Sequence, residues 1–136
     1  MYPESMVKPM KADLTSIGFE DLTTPDAVKA AINSKGTVLV VVNSVCGCAA
    51  GAARQGVKLA VSGAKRPDRT TTVFAGFDTE AVAEARKHFA PYPPSSPAIA
   101  LFKDAKLVHF VERHHIEGRN ALMIAENLQM AFEQFC

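Results

Sequence analysis

The stretch Val38-Leu39-Val40-Val41-Val42-Asn43-Ser44-Val45-Cys46-Gly47-Cys48-Ala49-Ala50-Gly51-Ala52-Ala53-Arg54 decides the fold. Its first part, with Thr37 before it, is a near-continuous apolar run ending at Asn43, which predicts a strand covered on both faces. The small residues after Gly47 predict a helix to about Ala60, with Ala50, Ala53, Val57 and Ala60 or Val61 on its inner face. Small side chains let such a helix approach a sheet closely. Cys46 and Cys48 therefore stand where a buried strand hands over to the first turn of a helix. Backbone N–H groups point outward there, and the helix end carries partial positive charge. Both favour a thiolate, the reactive form of cysteine.

Upstream of this stretch, Met6, Val7, Met10, Leu14 and Ile17 recur at spacings that line one helix face, and Gly18 supplies a stop. Thr24-Pro25-Asp26 reads as an N-cap, a proline at the first helical position and an acid in the first turn. The helix it starts buries Val28, Ala31 and Ile32 and ends near Gly36. Downstream, Gly63 and Pro67 break the chain, and Thr71 to Gly76 predicts a second interior strand. Asp78 or Thr79 caps a helix to His88 or Phe89, with Val82, Ala85 and Phe89 inward. A proline-rich loop, residues 90–97, leads into a third strand at Ala98–Phe102. Lys103-Asp104-Ala105-Lys106 is a tight connection to an antiparallel partner at Leu107–Val111. Arg119–Gln134 predicts a last helix burying Leu122, Ile124, Ala125, Leu128, Ala131, Phe132 and Phe135 for the most part.

The resulting order, α, α, β, α, β, α, β, β, α, indicates an α/β fold with a four- or five-stranded mixed sheet and helices on both faces. A dithiol after the first parallel strand and a proline before the first hairpin strand place it in the thioredoxin-like class. The 136 residues, 48% hydrophobic and 21% charged, fit one domain spanning 1–136. A formal net charge of +1 argues against a general nucleic-acid or membrane-surface binder. No apolar run is long enough for a membrane span or a signal peptide, so the expected location is the cytoplasm. Cysteines there are kept reduced, and disulfides are transient or catalytic. Three cysteines, an odd number, also argue against a static disulfide framework.

The segment VVNSVCGCAAGAAR resembles the active-site region of the bacilliredoxins, thioredoxin-like proteins with a Cys-Gly-Cys motif. GFEDLTTPDAV, TTVFAGFD, YPPSSPAIALF, LVHFVERHHIEGR and the terminal cysteine extend the resemblance over essentially the whole chain. It implies thiol–disulfide exchange on mixed disulfides between proteins and a small thiol, above all removal of bacillithiol from S-bacillithiolated proteins. A disulfide isomerase role is the alternative it implies. A redox-sensing binding module without turnover is an alternative from another class. The implied partners are thiolated client proteins, the small thiol as co-substrate and a reductase that restores the dithiol, with no bound cofactor.

Cys46, at the loop–helix junction, is the expected attacking thiolate, and Cys48, inside the first turn and expected to be shielded, the resolving thiol. A disulfide between them closes a very small ring, so the couple is expected to be less reducing than thioredoxin's, about −270 mV in a glutathione titration. In thioredoxin-like proteins a cis X-Pro bond faces the dithiol, and the resemblance places Ser96-Pro97 there. Arg113, His114, His115 and Glu117 lie between the last strand and the last helix, a connection that a thioredoxin-like fold brings close to the dithiol. Bacillithiol carries carboxylates that Arg113 can bind by a forked contact. His114 or His115 can stabilise the Cys46 thiolate or shuttle a proton, or all of these residues simply cap the helix in solvent. Asn43 and Ser44 either hydrogen-bond around the loop and a bound thiol or merely end the strand. Cys136 is a third redox thiol or a bystander at a mobile terminus. No metal is expected, because structural zinc needs four ligands and no second cysteine pair exists.

Overall fold

A computed structural model describes residues 2–136. The elements run α1 (Glu4–Thr15), β1 (Glu20–Asp21), α2 (Pro25–Ile32), β2 (Thr37–Asn43), α3 (Gly47–Val61), β3 (Arg69–Phe74), α4 (Thr79–Lys87), β4 (Ala98–Lys103), β5 (Lys106–Val111), α5 (Arg113–Ile116) and α6 (Ala121–Phe135). They form one five-stranded mixed sheet in the order β1-β3-β2-β4-β5. β2 lies at its centre, parallel to β3 and antiparallel to β4.

Every residue of β2 is buried, and side-chain alternation divides them between two cores. Leu39 and Val41 join Ala53, Val57, Ile124, Leu128 and Phe132 under α3 and α6. Val38, Val40 and Val42 face the other way, with Val28, Ile32, Val82 and Ala85 of α2 and α4. β4 splits likewise, Ile99 and Leu101 to the first core and Ala98, Ala100 and Phe102 to the second. A strand between two apolar layers needs no polar face, which is why its sequence is an unbroken run. The buried threonines of β3 are satisfied locally: Thr71 Oγ1 donates to the Leu39 carbonyl at 2.8 Å and Thr72 Oγ1 to that of Val41 at 2.9 Å.

α3 and α6 pack closely. A Cβ at Gly56 would lie 2.6 Å from the Ile124 side chain and 3.1 Å from the Ala121 carbonyl, so the inter-helix distance depends on glycine. Thr24 caps α2 as expected, accepting from the Ala27 N–H at 3.2 Å. The two-residue hairpin tip, Asp104 and Ala105, has φ of 49° and 67°, the primed-turn geometry that matches strand twist.

The departures have local causes. β3 begins at Arg69 and ends at Phe74, two residues before the expected limits, because pairing with β2 starts at Val38–Arg69. Met6 and Ile17 are exposed, since α1 buries only Val7 and Leu14 and ends before Ile17. Leu122 is also exposed: at about 100° per helical residue it lies about 120° from Leu128, off the buried stripe. α6 starts at Ala121 rather than Arg119, with Asn120 as the N-cap. β1 and α5 are too short, at two and four residues, to leave a periodic signal.

Candidate active site

The carboxyl end of β2 opens between β3, its parallel neighbour, and β4, its antiparallel one. Open α/β sheets bind ligands at such a place. Asn43 and Ser44 are buried there. Asn43 Nδ2 donates to the Met10 carbonyl of α1 at 3.0 Å, and its Oδ1 accepts from the Ser44 N–H at 2.8 Å. The chain then turns sharply. Gly47 N–H donates to the Val45 carbonyl at 2.7 Å, with Cys46 between them at φ −68°, ψ 73°, an inverse γ-turn. Gly47 has φ +48°, a left-handed conformation that glycine adopts without penalty. The 15-residue α3 starts here, with the Ala50 N–H bonded to the Cys46 carbonyl at 3.2 Å.

Cys46 is thus the N-cap of α3, but its side chain caps nothing, which leaves the sulfur free. Ser44 Oγ accepts from the Cys46 N–H at 3.1 Å, so its own proton is available to the sulfur. The Ser44 hydroxyl first, and then the Arg113 guanidinium, hold the Cys46 thiol below the usual thiol range. Both hydrogen-bond the ionised sulfur, partial burial opposes them, and the arginine charge adds to the effect. Cys46 is half-buried, whereas Cys48 is exposed rather than shielded. The first turn of α3 projects into open solvent at that point, with Ala49 and Ala50 taking the buried positions.

Arg113, the first residue of α5, ties the site together. Its Nη1 donates to the Ser96 carbonyl at 2.9 Å, its backbone N–H to Ser95 Oγ at 3.3 Å and its Nε to Glu117 Oε1 at 3.2 Å. The Ser96–Pro97 peptide is cis and Pro97 is buried, so this arginine spans the proline loop and the dithiol. A second cis bond, Ala90–Pro91, lies earlier in that loop. A cleft of about 510 Å³ is lined by residues 46–49, Arg113, Glu117 and Gly118. His114 does not line it. It is exposed, 3.7 Å from Glu112 Oε2, with its ring 4.0 Å from that of His115. His115 Nδ1 accepts from the Glu112 N–H at 3.4 Å. Glu112, His114 and His115 have ligand atoms within 4.8 Å of one another, and neither cysteine of the pair belongs to that group.

The structure therefore brings Cys46, Cys48 and Arg113 into one cleft, places Ser96 beneath the arginine and turns His114 outward. Of the two readings open for Ser44, it is the hydrogen-bonding one that the structure takes. Arg54 had no distinct signal in the sequence: it follows Cys46 by eight residues, yet its Nη1 donates to Asn43 Oδ1 at 3.1 Å and to the Ser44 carbonyl at 2.8 Å.

Residues 2–136 match the family described as "Disulphide isomerase". A bacilliredoxin of Cytophaga hutchinsonii is 60% identical over 134 residues, 98% of this chain and 99% of that one. Bacilliredoxins of Koribacter versatilis and Bacillus cereus are 50% and 48% identical, covering 100% and 99% of this chain and 94% of each relative. Among solved structures, oxidised mitochondrial thioredoxin 3 of Saccharomyces cerevisiae superposes with a TM-score of 0.62 at 13% identity, over 90% of this chain and 98% of that one. Oxidised thioredoxin of Plasmodium falciparum gives 0.58 at 11% identity, over 85% and 99%. With a thioredoxin fold beneath its dithiol and close relatives along its whole described length, the chain belongs to the bacilliredoxin family, a thiol oxidoreductase.

Proposed function

We propose that this protein reduces mixed disulfides between client proteins and a small thiol, bacillithiol in the first instance, through Cys46 and Cys48. The Cys46 thiolate attacks the small-thiol sulfur of the mixed disulfide. The disulfide bond between that sulfur and the client's cysteine sulfur breaks, and the client leaves as a thiolate that takes a proton from solvent. Cys48, deprotonated, then attacks the Cys46 sulfur, forms the Cys46–Cys48 disulfide and releases the small thiol. The client is reduced by two electrons and the dithiol is oxidised by two. A separate reductase or thiol in the cytoplasm returns them.

One observation carries the reading: the Cys46 sulfur sits beside a hydroxyl and a guanidinium at the mouth of an open cleft, with an exposed second thiol two residues on. The exposure of Cys48 suits a resolving thiol, which must reach an adduct on Cys46 without the helix unwinding. A cleft of about 510 Å³ accepts a small-thiol adduct, whereas a polypeptide substrate would extend beyond it.

The test is mass spectrometry of Cys48→Ala incubated with a bacillithiolated protein. Cys46 should end up carrying the small thiol, and Cys46→Ala should transfer nothing. Retained transfer by Cys46→Ala removes the nucleophile assignment. The family description favours disulfide isomerisation as a second reading. Under it, Cys48→Ala accumulates a mixed disulfide with the protein instead.

A further inference from the structure

We propose that Arg54 is a positioning residue for the dithiol, acting through Ser44. This rests on Cys46 being the nucleophile and adds a residue that touches neither sulfur.

Arg54 lies on the second turn of α3, under the loop that carries Cys46, with a largely buried side chain. Its Nη1 donates twice, to Asn43 Oδ1 at 3.1 Å and to the Ser44 carbonyl at 2.8 Å. Asn43 Oδ1 also accepts the Ser44 N–H at 2.8 Å. The peptide groups on both sides of Ser44 are therefore held from below by one guanidinium and one amide. The serine side chain is held in turn, because its Oγ accepts the Cys46 N–H at 3.1 Å. A hydroxyl fixed in this way keeps its proton free and stands beside the Cys46 sulfur. Arg54 Nε is buried and faces Asp13 Oδ2 of α1 at 3.3 Å as an ion pair without a hydrogen bond. The guanidinium is thus held in place from α1 while its other end serves the loop. A guanidinium that only neutralised Asp13 would have no reason to place a donor on two loop acceptors, since Lys58 already meets Asp13 Oδ1 at 3.2 Å.

The charged groups around this pair are few. On the sulfur side they are Arg113 of α5 and, through it, Glu117. On the Arg54 side they are Asp13 and Lys58. Ser44 and Arg113 meet the Cys46 sulfur directly, whereas Arg54 bonds the loop beneath it, which points to alignment.

The experiment uses the full chain with Cys48→Ser and Cys136→Ser, so that Cys46 is the sole thiol, and follows thiolate absorbance near 240 nm against pH. Arg54→Met should move the titration midpoint upward and lower the iodoacetamide rate at pH 6.5 about threefold. Arg54→Lys, which keeps the charge and a donor, should recover part of that loss. Ser44→Ala should remove the dependence: in its background neither Arg54 variant shifts the midpoint further. A shift of equal size with and without Ser44 overturns the proposal in favour of plain electrostatics, and no shift in either background overturns it outright. If Arg54→Met does not fold, the Arg54→Lys comparison across the two Ser44 backgrounds decides in the same way. Because the readout is ionisation of one sulfur, its failure is separate from any failure of the wild-type chain to remove a small thiol from a client.

Discussion

A cysteine stands near each end of β2, and the two have opposite chemistry. Cys46 follows the carboxyl end of the strand, caps a 15-residue helix and has a hydroxyl and a guanidinium beside its sulfur. Cys136 ends α6 near Thr37, at the amino end of the same strand, about 20 Å away for seven strand residues. There loss of hydration pushes the thiol up; Thr37 counters this and the Asp68 carboxylate adds to it. The residue type and the sheet are shared, so the difference lies in hydration and in the neighbouring hydrogen-bond donors and charges. Cys136 therefore stands outside the dithiol cleft.

The contrast is open to attack at several levels. The largest expected effect is in alkylation: at pH 7 limiting iodoacetamide should label Cys46 at least about tenfold faster than Cys136, read by peptide mass spectrometry. Equal labelling breaks the comparison. Next, Arg113→Met removes both a hydrogen bond and a charge from the sulfur. Thiolate is present above a thiol's pKa and lost as pH falls through it, so this variant should lose reactivity at a higher pH than the parent. The expected loss is about threefold to tenfold at pH 6.5. Ser44→Ala should move the same limb in the same direction.

Smaller effects should follow. The folded state lowers the Cys46 value, so the reduced chain gains stability over Cys46→Ser at pH above the unfolded thiol's value, about 8.5. That gain disappears as pH falls through the lowered folded value, and the difference in Tm between the two proteins should shrink accordingly from pH 9 to pH 6. The smallest expected shift is that of Glu117→Gln. Glu117 draws Arg113 Nε at 3.2 Å, and freeing the guanidinium should strengthen its hold on the sulfur and lower the midpoint slightly. A rise there would mean that Glu117 serves to aim the arginine.

The fold was legible where burial is periodic. β2, α2, α3 and β4 followed from runs and stripes whose reading needs only nearest neighbours. The dithiol's place at a strand–helix junction followed from the same local rule. The residues around the sulfur were partly legible, since Ser44 and Arg113 were among the candidates, but which of them meets it was not, because that depends on how distant elements pack. Arg113 reaches the Ser96 carbonyl 17 positions earlier only because α5 packs its first residue over the proline loop. A four-residue helix gives no sign of that. His114, adjacent in sequence to Arg113, points the other way, toward Glu112. Spacing places a residue near a site, whereas the helix's rotation decides which side chain enters it. Cys48 is exposed against expectation for a related reason: the first turn of a helix on an open cleft has a wet side, and Ala49 and Ala50 take the dry one.

The missing side chain at Gly56 has a further consequence. With Ile124 filling that notch, α3 has little freedom to slide along α6 when the sulfurs change state. Adjustment on oxidation is then expected at residues 44–48, in the turn and the first helical turn that carry the two sulfurs. Crystals of the reduced protein should accordingly tolerate soaking with an oxidant without cracking, since no rigid element would need to travel.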